Sequence, residues 1–309
     1  MNNQFNLITV LGPTASGKTS FAAKLAYTLN SGVISADSRQ VYRGMDLGTG
    51  KDYDDYLIAG SKVPLYLVDI VDAGYKYNVY EYQKDFVKAY YQIKNEGSVP
   101  VFCGGTGMYL EAVLKGYRLI SVTENLKLRN ELQGLDTSDL IKRLNNFKKL
   151  HNTTDIAQRK RLIRAIEIED YYDKNREVAD DYPDIKPFIA GVKIDRESRR
   201  KRISNRLQSR LDEGMIDEVN NLLKSGIDSE TLIYYGLEYK FITLYLQAKL
   251  SYEEMFTKLE SAIHQFAKRQ MTWFRGMERR GFEIFWIDWS IPDDEKVDIL
   301  LKQCKFQKK

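Results

Sequence analysis

An eight-residue segment near the start of the chain combines glycines, a lysine and a threonine in an order suited to binding phosphate. It fits the pattern G-x-x-x-x-G-K-[S/T] in full and consists of Gly12, Pro13, Thr14, Ala15, Ser16, Gly17, Lys18 and Thr19. The glycines permit backbone torsions that turn successive N–H groups toward an anion, and the helix that follows adds its positive end. Lys18 would supply a mobile charge, and Thr19 a hydroxyl ligand for Mg²⁺. The segment predicts a cradle for a polyphosphate, but it does not fix the reaction.

Two aspartates follow apolar runs and could act beside a bound phosphate ester. Asp37 closes the run at residues 32–36, and Asp69 follows Leu67 and Val68. A carboxylate in such a place can act as a general base or hold metal-bound water. An ATPase would need an aspartate after an apolar strand, so the residues alone give Asp69 and Asp37 equal claims.

A second glycine-rich turn, Gly104 to Gly107, follows another apolar run and carries the hydroxyl of Thr106. Taken alone, this segment is typical of a tight structural turn. At the same sheet edge as the first loop, it would instead bring Thr106 and backbone donors to the same phosphates.

Positive charge is concentrated in two segments, although the net charge of the chain is only +4. Residues 196–210 contain seven basic residues and one acidic residue. In this segment Ile203, Leu207 and Leu211 form an apolar stripe at helical spacing, and a row of guanidinium groups lies beside it. The row is Arg199, Arg202, Arg206 and Arg210. The second segment, residues 268–280, lies among aromatic residues. Either segment could be a solvated helix face or an RNA site, and the row also suits a diphosphate leaving group.

The apolar runs predict the elements that would position these residues. Strands are expected at residues 7–11, 32–36, 63–70 and 99–103, with helices at 20–29 and 80–95. Alternating strands and helices indicate a parallel sheet covered on both faces, with ligands beyond the carboxyl ends of the strands. A strand at 188–194 could return to this sheet, followed by helices to about residue 277 and a closing strand near 284–287.

A change of character in the middle of the chain predicts a second domain. Between about residues 117 and 187 the strand signals vanish, and charged helical sequence is expected at 124–134, 137–147 and 155–172. The predicted fold is therefore an α/β, P-loop NTPase-like parallel sheet flanked by helices, with a helical insertion domain. The catalytic core would comprise residues 1–116 and 188–309, and the insertion residues 117–187.

Composition narrows the setting in which the chain would work. The chain has 309 residues, enough for one large domain or two. Two cysteines and two histidines allow neither a disulfide framework nor a zinc finger. The longest apolar runs are strand-sized, and the N-terminus does not match a secretory signal. We expect a cytoplasmic protein that does not insert into membranes.

Several segments, in this order, resemble the tRNA dimethylallyltransferases, also called tRNA isopentenyltransferases. The matching stretches are the segment 12–19, Asp37-Ser38-Arg39-Gln40-Val41-Tyr42-Arg43-Gly44-Met45-Asp46, Gly104-Gly105-Thr106-Gly107-Met108-Tyr109-Leu110, Arg161-Leu162-Ile163-Arg164-Ala165-Ile166-Glu167, and Ala267-Lys268-Arg269-Gln270-Met271-Thr272-Trp273-Phe274-Arg275. They span almost the entire chain, and together they are far more specific than a bare P-loop.

The resemblance implies transfer of a dimethylallyl group from dimethylallyl diphosphate to the exocyclic amine of the adenosine at tRNA position 37. It implies that Asp37 is the base, that Lys18, Thr106 and Arg206 contact the phosphates, and that Thr19 binds Mg²⁺. The helical insertion would grip the anticodon stem-loop, and the enzyme would be a monomer. The tRNA contacts implied are Asp37, Ser38, Arg39, Gln40, Thr106, Arg129, Lys160, Arg161 and Arg164.

Three stretches depart from the family pattern. The family commonly has G-T-A-K-P where this chain has Gly48-Thr49-Gly50-Lys51-Asp52, and G-Y-K-E where it has Tyr235-Gly236-Leu237-Glu238-Tyr239-Lys240. Of D-x-x-R-x-x-R-A, only Arg161-x-x-Arg164-Ala165 remains. We expect these sites to lie outside the phosphate cradle. The zinc finger of eukaryotic members has no counterpart, which favours a bacterial-type enzyme.

Other functions are compatible with parts of the pattern. A P-loop with a mobile helical insertion also describes an ATP-dependent small-molecule kinase. A prenyl transferase that uses free AMP, or an RNA-binding nucleotide switch, would share some of the motifs. The basic segments disfavour a metabolite kinase, and the ordered motif set disfavours all three.

Overall fold

The computed structural model describes residues 5–117, 119, 122–147, 158–175 and 182–305. The chain separates into two units, one formed by Met1–Tyr117 with Pro183–Lys309 and the other by Arg118–Tyr182. The strands are β1 Leu7–Leu11, β2 Val33–Ala36, β3 Tyr42–Arg43, β4 Leu57–Ile58, β5 Ser61–Lys62, β6 Leu65–Tyr66, β7 Val71–Asp72, β8 Val101–Gly104, β9 Pro187–Lys193 and β10 Phe285–Asp288. The α-helices are α1 Lys18–Thr28, α2 Val79–Asn95, α3 Gly107–Leu114, α4 Leu126–Gln133, α5 Thr137–Phe147, α6 Arg159–Lys174, α7 Arg196–Asp212, α8 Met215–Lys224, α9 Ser229–Tyr235, α10 Leu237–Leu246, α11 Tyr252–Arg279 and α12 Asp293–Cys304. A short 3₁₀ helix spans Tyr53–Tyr56.

A parallel sheet organises the larger unit. Its strand order is β10-β9-β1-β8-β2-β6, and every neighbouring pair is parallel. In the register, Leu11 and Ala36 both pair with Gly104, so strands β1, β8 and β2 end at the same level. The loops after these strands therefore leave the sheet side by side, as expected for a P-loop NTPase-like fold.

Alternate side chains of β1 point to opposite faces of the sheet, and each face is covered by helices. Ile8 and Val10 pack with α1 and α12, whereas Leu7 and Leu11 pack with α2, α3 and α11. All four side chains are fully buried. The sheet is thus buried on both faces, in agreement with the prediction from its apolar runs.

The predicted strand at 63–70 is much shorter in the structure. Only Leu65 and Tyr66 pair with β2. Leu67 and Asp69 adopt left-handed backbone angles (φ of 62° and 55°), which interrupt an extended strand. The Asp69 amide instead donates to the carbonyl of Gln40 at 3.1 Å. The chain leaves the sheet here because it follows the loop after β2.

A layer of helices, α7 to α11, forms a second core within the larger unit. The stripe of Ile203, Leu207 and Leu211 is buried there, as its spacing predicted. Helix α11 begins with a capping box in which Ser251 and Glu254 satisfy each other's backbone amides. Val41 and Met45, from the segment after β2, pack into the same core. The site loops are therefore held from above by helices and from below by the sheet.

The smaller unit contains α4, α5 and α6 around a core of its own. The buried side chains are Leu128, Leu132, Leu140, Leu144, Leu162, Ala165 and Ile166. Its buried carboxylate, Glu167, accepts hydrogen bonds from Arg129 and Arg164 and from the amide of Asn125. Burial alone would raise the pKa of Glu167, but these bonds bring the pKa below its usual value. Among the described helices of both units, none is long and apolar enough to cross a membrane.

We predict that Gly104→Ala destabilises the larger unit by about 1–3 kcal/mol, because a new methyl group would be overpacked. The added Cβ would lie 2.5 Å from the carbonyl carbon of Ala36, and backbone cannot rotate away as a side chain can. Urea unfolding followed by tryptophan fluorescence measures this, since all three tryptophans belong to the larger unit. The exposed control Ser61→Ala should change stability by less than about 0.5 kcal/mol. An unchanged midpoint for Gly104→Ala would contradict the prediction.

Candidate active site

The phosphate-binding segment connects β1 to α1 with an alternating backbone that suits an anion. Ala15 and Gly17 are both left-handed (φ of 61° and 83°), which turns successive amides to one side. A left-handed alanine costs about 1–3 kcal/mol and must be held by its surroundings. The Nε of Arg202 holds it by donating to the Ala15 carbonyl at 2.8 Å. Ser16 Oγ is buried and has no hydrogen-bond partner among the described atoms, so it can donate to a ligand.

Two cavities meet at this segment. Cavity A, of about 510 Å³, is lined by Asp37, Thr106, Tyr239 and Trp273 among others. Cavity B, of about 450 Å³, is lined by Ala15, Ser16, Gly17, Asp52 and Asp55. Both include Lys18, Thr19 and Arg206 in their walls. Of the remaining predicted segment, Thr14 lines cavity A, whereas Gly12 and Pro13 line neither and serve the turn itself.

The strand-end residues Asp37 and Thr106 are brought together at cavity A. The amide of Ser38 donates to Thr106 Oγ1 at 3.2 Å, which links the loop after β2 to the glycine turn after β8. Asp37 Oδ1 accepts from the amide of Arg39 at 2.9 Å, and this bond orients the carboxylate. The predicted meeting of these loops at one sheet edge is therefore present.

The side chain of Gln40 is engaged within the protein. Its Oε1 accepts from Ser35 Oγ, and its Nε2 donates to the carbonyl of Gly50, each at 2.9 Å. Gln40 still lines cavity A. The neighbouring Arg39 donates to the carbonyl of Tyr234 at 3.4 Å and lies over that tyrosine ring. Both residues thus anchor surrounding loops while they face the cavity.

Three arginines of helix α7 contact the cradle or its neighbour Asp52; Arg202 is exposed, whereas Arg206 and Arg210 are partly buried. Arg206 and Arg210 both donate to Asp52, and the Arg210 bond is 2.9 Å long. Burial would raise the pKa of Asp52, but the two guanidinium charges bring the pKa below its usual value. Burial also lowers the pKa of Lys18, and the charge of Arg206 lowers it further. Because Asp52 lines cavity B, the expectation that residues 48–52 lie outside the phosphate cradle is wrong.

The loop that carries Asp52 is fixed by the partly buried carboxylate of Glu218 and the buried ammonium group of Lys51. Glu218 accepts from the amides of Asp46, Leu47 and Gly48, at 2.8, 2.7 and 3.1 Å. Lys51, 8% exposed, donates to the Tyr42 carbonyl at 2.6 Å and to the carboxylates of Asp46 and Asp69.

The two candidate aspartates lie in different surroundings. Asp69 anchors Lys51 and lines neither cavity, whereas Asp37 faces cavity A. Of the pair, only Asp37 is placed to act on a bound ligand.

Gln270 is a site residue to which sequence reasoning assigned no role. Its side chain is 7% exposed and bridges the two glycine loops. Oε1 accepts from the Thr14 amide at 2.8 Å, and Nε2 donates to the Gly105 carbonyl at 3.0 Å. A signal was present, because Gln270 interrupts the apolar stripe of α11 that includes Ile263, Ala267 and Phe274. A polar side chain on a buried stripe requires partners.

The second basic segment divides between structure and surface. Arg280 makes a double hydrogen bond to the buried Glu111, at 2.6 and 2.8 Å, and so supports the packing of α11 on α3. Arg269, Phe266 and Trp273 line cavity A and remain partly exposed. These three residues, spaced about one helical turn apart, form the rim of the cavity.

The remaining predicted tRNA contacts belong to the smaller unit. Arg129 and Arg164 both pair with Glu167, and Arg129 also pairs with Glu124, so two carboxylates compensate the two guanidinium charges inside that unit. Lys160 and Arg161 lie at the exposed start of α6. Of the four, Lys160 and Arg161 are the ones that present charge to solvent.

Known proteins resemble this chain over most of its length. Residues 40–277 match the family model described as IPP transferase. The chain is 59% identical to tRNA dimethylallyltransferase 2 of Bacteroides fragilis, over 97% of this chain and 98% of that protein. It is also 59% identical to tRNA dimethylallyltransferase 2 of Phocaeicola vulgatus, over 96% and 97%.

Solved structures of tRNA-modifying transferases are also similar to this chain. The full-length tRNA isopentenylpyrophosphate transferase from Bacillus halodurans superposes with a TM-score of 0.70 at 29% identity, covering 97% of both chains. A eukaryotic dimethylallyltransferase acting on tRNA gives a TM-score of 0.78 at 20% identity, over 96% of this chain and 78% of that chain. The second similarity shows the fold.

We predict that Gln270→Leu lowers stability by about 2–4 kcal/mol and weakens binding of inorganic diphosphate, because a buried N–H and a buried carbonyl lose their partners. Urea unfolding and titration calorimetry measure the two effects. Gln92→Leu makes the same chemical change at an exposed position of α2 and should alter neither quantity. Wild-type stability in Gln270→Leu would contradict the bridging role.

Proposed function

This chain belongs to the IPP transferase family, and on that premise we propose that it transfers the dimethylallyl group of dimethylallyl diphosphate to the exocyclic amine of adenosine 37 in tRNA. The observation that carries the proposal is the meeting of cavities A and B at Lys18, Thr19 and Arg206. The diphosphate would occupy cavity B and the target adenine cavity A. The allylic carbon would then lie at the shared wall, between the leaving group and the acceptor.

Stabilisation of the leaving diphosphate is the main chemical task. The C–O bond to the diphosphate breaks as the bond to the adenine nitrogen forms, and the allylic carbon tolerates the positive charge that develops. The negative charge on the phosphates would be stabilised by Lys18, Arg206, the Ser16 hydroxyl and the amides of the cradle. Because these donors are fixed before the reaction, little reorganisation is needed as the bond breaks.

Mg²⁺ would be held at Thr19, and the residues present fit it. The carboxylates of Asp52 and Asp55 line the same cavity, and oxygen ligands are those that Mg²⁺ prefers. In the described parts of the chain, no group of three or more His, Cys, Asp or Glu could hold a metal by itself. Phosphate oxygens and water would therefore complete the coordination, as is usual for this ion. Bound Mg²⁺ would neutralise charge on the departing phosphates.

The partly buried position of Asp55 supports a cationic partner in cavity B. Burial, and next the charge of Asp52, raise the pKa of Asp55 to about 6. At neutral pH this carboxylate is largely ionised against an unfavourable environment, which a bound cation would relieve.

Asp37 would accept the proton. The amine of adenine is a poor nucleophile because its lone pair is delocalised into the ring. Once the nitrogen has bonded to the allylic carbon, it is positively charged and its N–H becomes acidic. A positioned carboxylate then removes the proton as the new N–C bond forms. Burial raises the pKa of the Cys103 thiol, also in the cavity A wall, to about 12, which disfavours a thiolate at this position.

The target base would have to leave its stack in the anticodon loop to enter cavity A. Ser38, Arg39, Gln40 and Thr106 line that cavity and would contact the nucleotide. Lys160 and Arg161 would contact the anticodon stem through the smaller unit. We propose a monomer that acts in the cytoplasm, where tRNA is available.

An ATP-dependent small-molecule kinase is not favoured. Asp69, the aspartate after an apolar run that such an enzyme would use, is a partner of Lys51 and lines neither cavity. The family to which the chain belongs consists of prenyl transferases, which agrees with a leaving diphosphate rather than a transferred phosphoryl group.

We predict that Asp37→Asn lowers the rate of prenyl transfer about 10²–10⁴-fold with tRNA affinity nearly unchanged, because only the proton acceptor is lost. Mass spectrometry of digested tRNA, after reaction with dimethylallyl diphosphate and Mg²⁺, measures the added C5 unit. The exposed control Asp54→Asn should react normally. A near-normal rate in Asp37→Asn would exclude this base, and a wild-type enzyme that consumes ATP without adding C5 would overturn the function.

We predict that Asp52→Asn tightens binding of inorganic diphosphate about two- to tenfold in the absence of divalent metal. Asp52 forms ion pairs with the guanidinium groups that the phosphates would bind. Its side chain is 40% exposed, so solvent screening limits the gain in diphosphate affinity. Calorimetry with a chelator present measures the affinity. Asp54→Asn changes the net charge equally and isolates the local effect. Weaker binding in Asp52→Asn would show that Asp52 positions the arginines instead of competing for them.

A further inference from the structure

An open groove between α10 and α11 has no role in the mechanism derived above. It has a volume of about 530 Å³, and its charged walls are Lys240, Lys258 and Arg269. Thr257, Ser261 and Gln265 add uncharged polar side chains. The described residues that line it include no carboxylate. The groove is therefore a row of hydrogen-bond donors with positive charge.

The polar wall of the groove follows directly from the sequence of α11. Lys258, Ser261, Gln265 and Arg269 recur at helical spacing and form one exposed stripe beside the buried one. From Lys258 to Arg269 the stripe is about 17 Å long, since each residue of a helix rises 1.5 Å. A ligand that follows it must be extended, with more than one negative group.

The groove is continuous with the proposed adenine site. Leu237 and Arg269 line both the groove and cavity A. If one nucleotide inserts its base into cavity A, the backbone on either side of it must pass over the rim. The groove is a part of that rim where cations are exposed.

The lysine charges in the groove are available to an anion. The nearest described acid to Lys258 is Glu254, one turn away on the same helix, at 3.7 Å between charged atoms. An exposed pair of this kind contributes little. The Nζ of Lys240 lies 5.2 Å from the centre of the Phe241 ring, a contact that leaves the ammonium group open to a phosphate.

We propose that this groove binds backbone phosphates of the tRNA strand that adjoins the target adenosine. The proposal rests on the proposed function, because it uses cavity A as the base site. Contacts of this kind fix the register of the RNA on the protein and carry no sequence information themselves. They would hold the anticodon loop while the base leaves its stack.

The test is a double variant, Lys240→Gln with Lys258→Gln, which leaves Arg269 of cavity A in place. Lys94→Gln with Lys302→Gln is the matched control. Both control lysines are exposed in the last turns of α2 and α12. Helix α2 leads into the start of β8, and α12 runs back from the end of β10. The control lysines therefore lie near the amino ends of the strands, away from the carboxyl ends that carry the site loops.

The affinity for an unmodified anticodon stem-loop RNA is measured by fluorescence anisotropy at several salt concentrations, without prenyl donor. We expect the groove variant to bind about tenfold more weakly at low salt, with a log–log salt slope shallower by about 1–2. Its affinity for inorganic diphosphate should equal that of the wild type. The control should keep both the RNA affinity and the slope.

An unchanged slope in the groove variant, or a loss of affinity equal to that of the control, would overturn the proposal. Failure of the proposed function is seen separately, as wild-type enzyme that adds no C5 unit to tRNA. An RNA-binding defect in the groove variant is independent of that result, so the two failures can be told apart.

Discussion

Concentrated positive charge at the end of one strand is the constraint on which the rest of this structure depends. Lys18, Arg202, Arg206 and Arg210 converge on the segment after β1, where burial already lowers the pKa of Lys18. Without a ligand, such a cluster repels itself. Two internal acceptors reduce this repulsion: the Ala15 carbonyl binds Arg202, and the Asp52 carboxylate binds Arg206 and Arg210. The same cations that a diphosphate needs are thus held in place before it arrives.

The anchoring of the surrounding loops follows from this requirement. Asp52 can balance the arginines only if its own loop is fixed, and Glu218 and Lys51 fix that loop through backbone amides and buried ion pairs. Gln270 performs the corresponding task for the two glycine loops. Each anchor lies outside the reacting groups, yet each sets the distance between them. The site is therefore positioned by a small number of polar contacts that reach in from the helical layer.

Sequence reasoning succeeded where the determinants are local or follow from topology. The phosphate segment, the strand before it and the convergence of Asp37 with Thr106 depend on short motifs and on the parallel sheet. The helical stripe of Ile203, Leu207 and Leu211 depends on periodicity alone. These features could be read without any knowledge of distant partners.

Long-range pairing explains what the sequence could not reveal. Asp52 meets Arg206 and Arg210 from more than 150 positions away, and Gln270 meets Thr14 across 256 positions. Strand β6 is short because the Asp69 amide bonds to Gln40, a tertiary contact that overrides an apolar run. Arg129 and Arg164 have charges that suit RNA, but a buried Glu167 takes both. A charge pattern does not state whether its partner is inside the protein or outside it.

Helix α11 carries several of these features on one continuous element. It presents Lys258 and Arg269 to the groove, and Gln270, the residue after Arg269, holds both glycine loops. A ligand that restricts this helix from one side restricts the loops on the other, and the free energy of ordering is then shared between them. If the groove binds RNA as proposed and this restricts the helix, occupancy of the groove and of the cradle would be thermodynamically linked, equally in both directions. The helix acts as a common support through which an RNA strand and a small diphosphate can favour each other's binding.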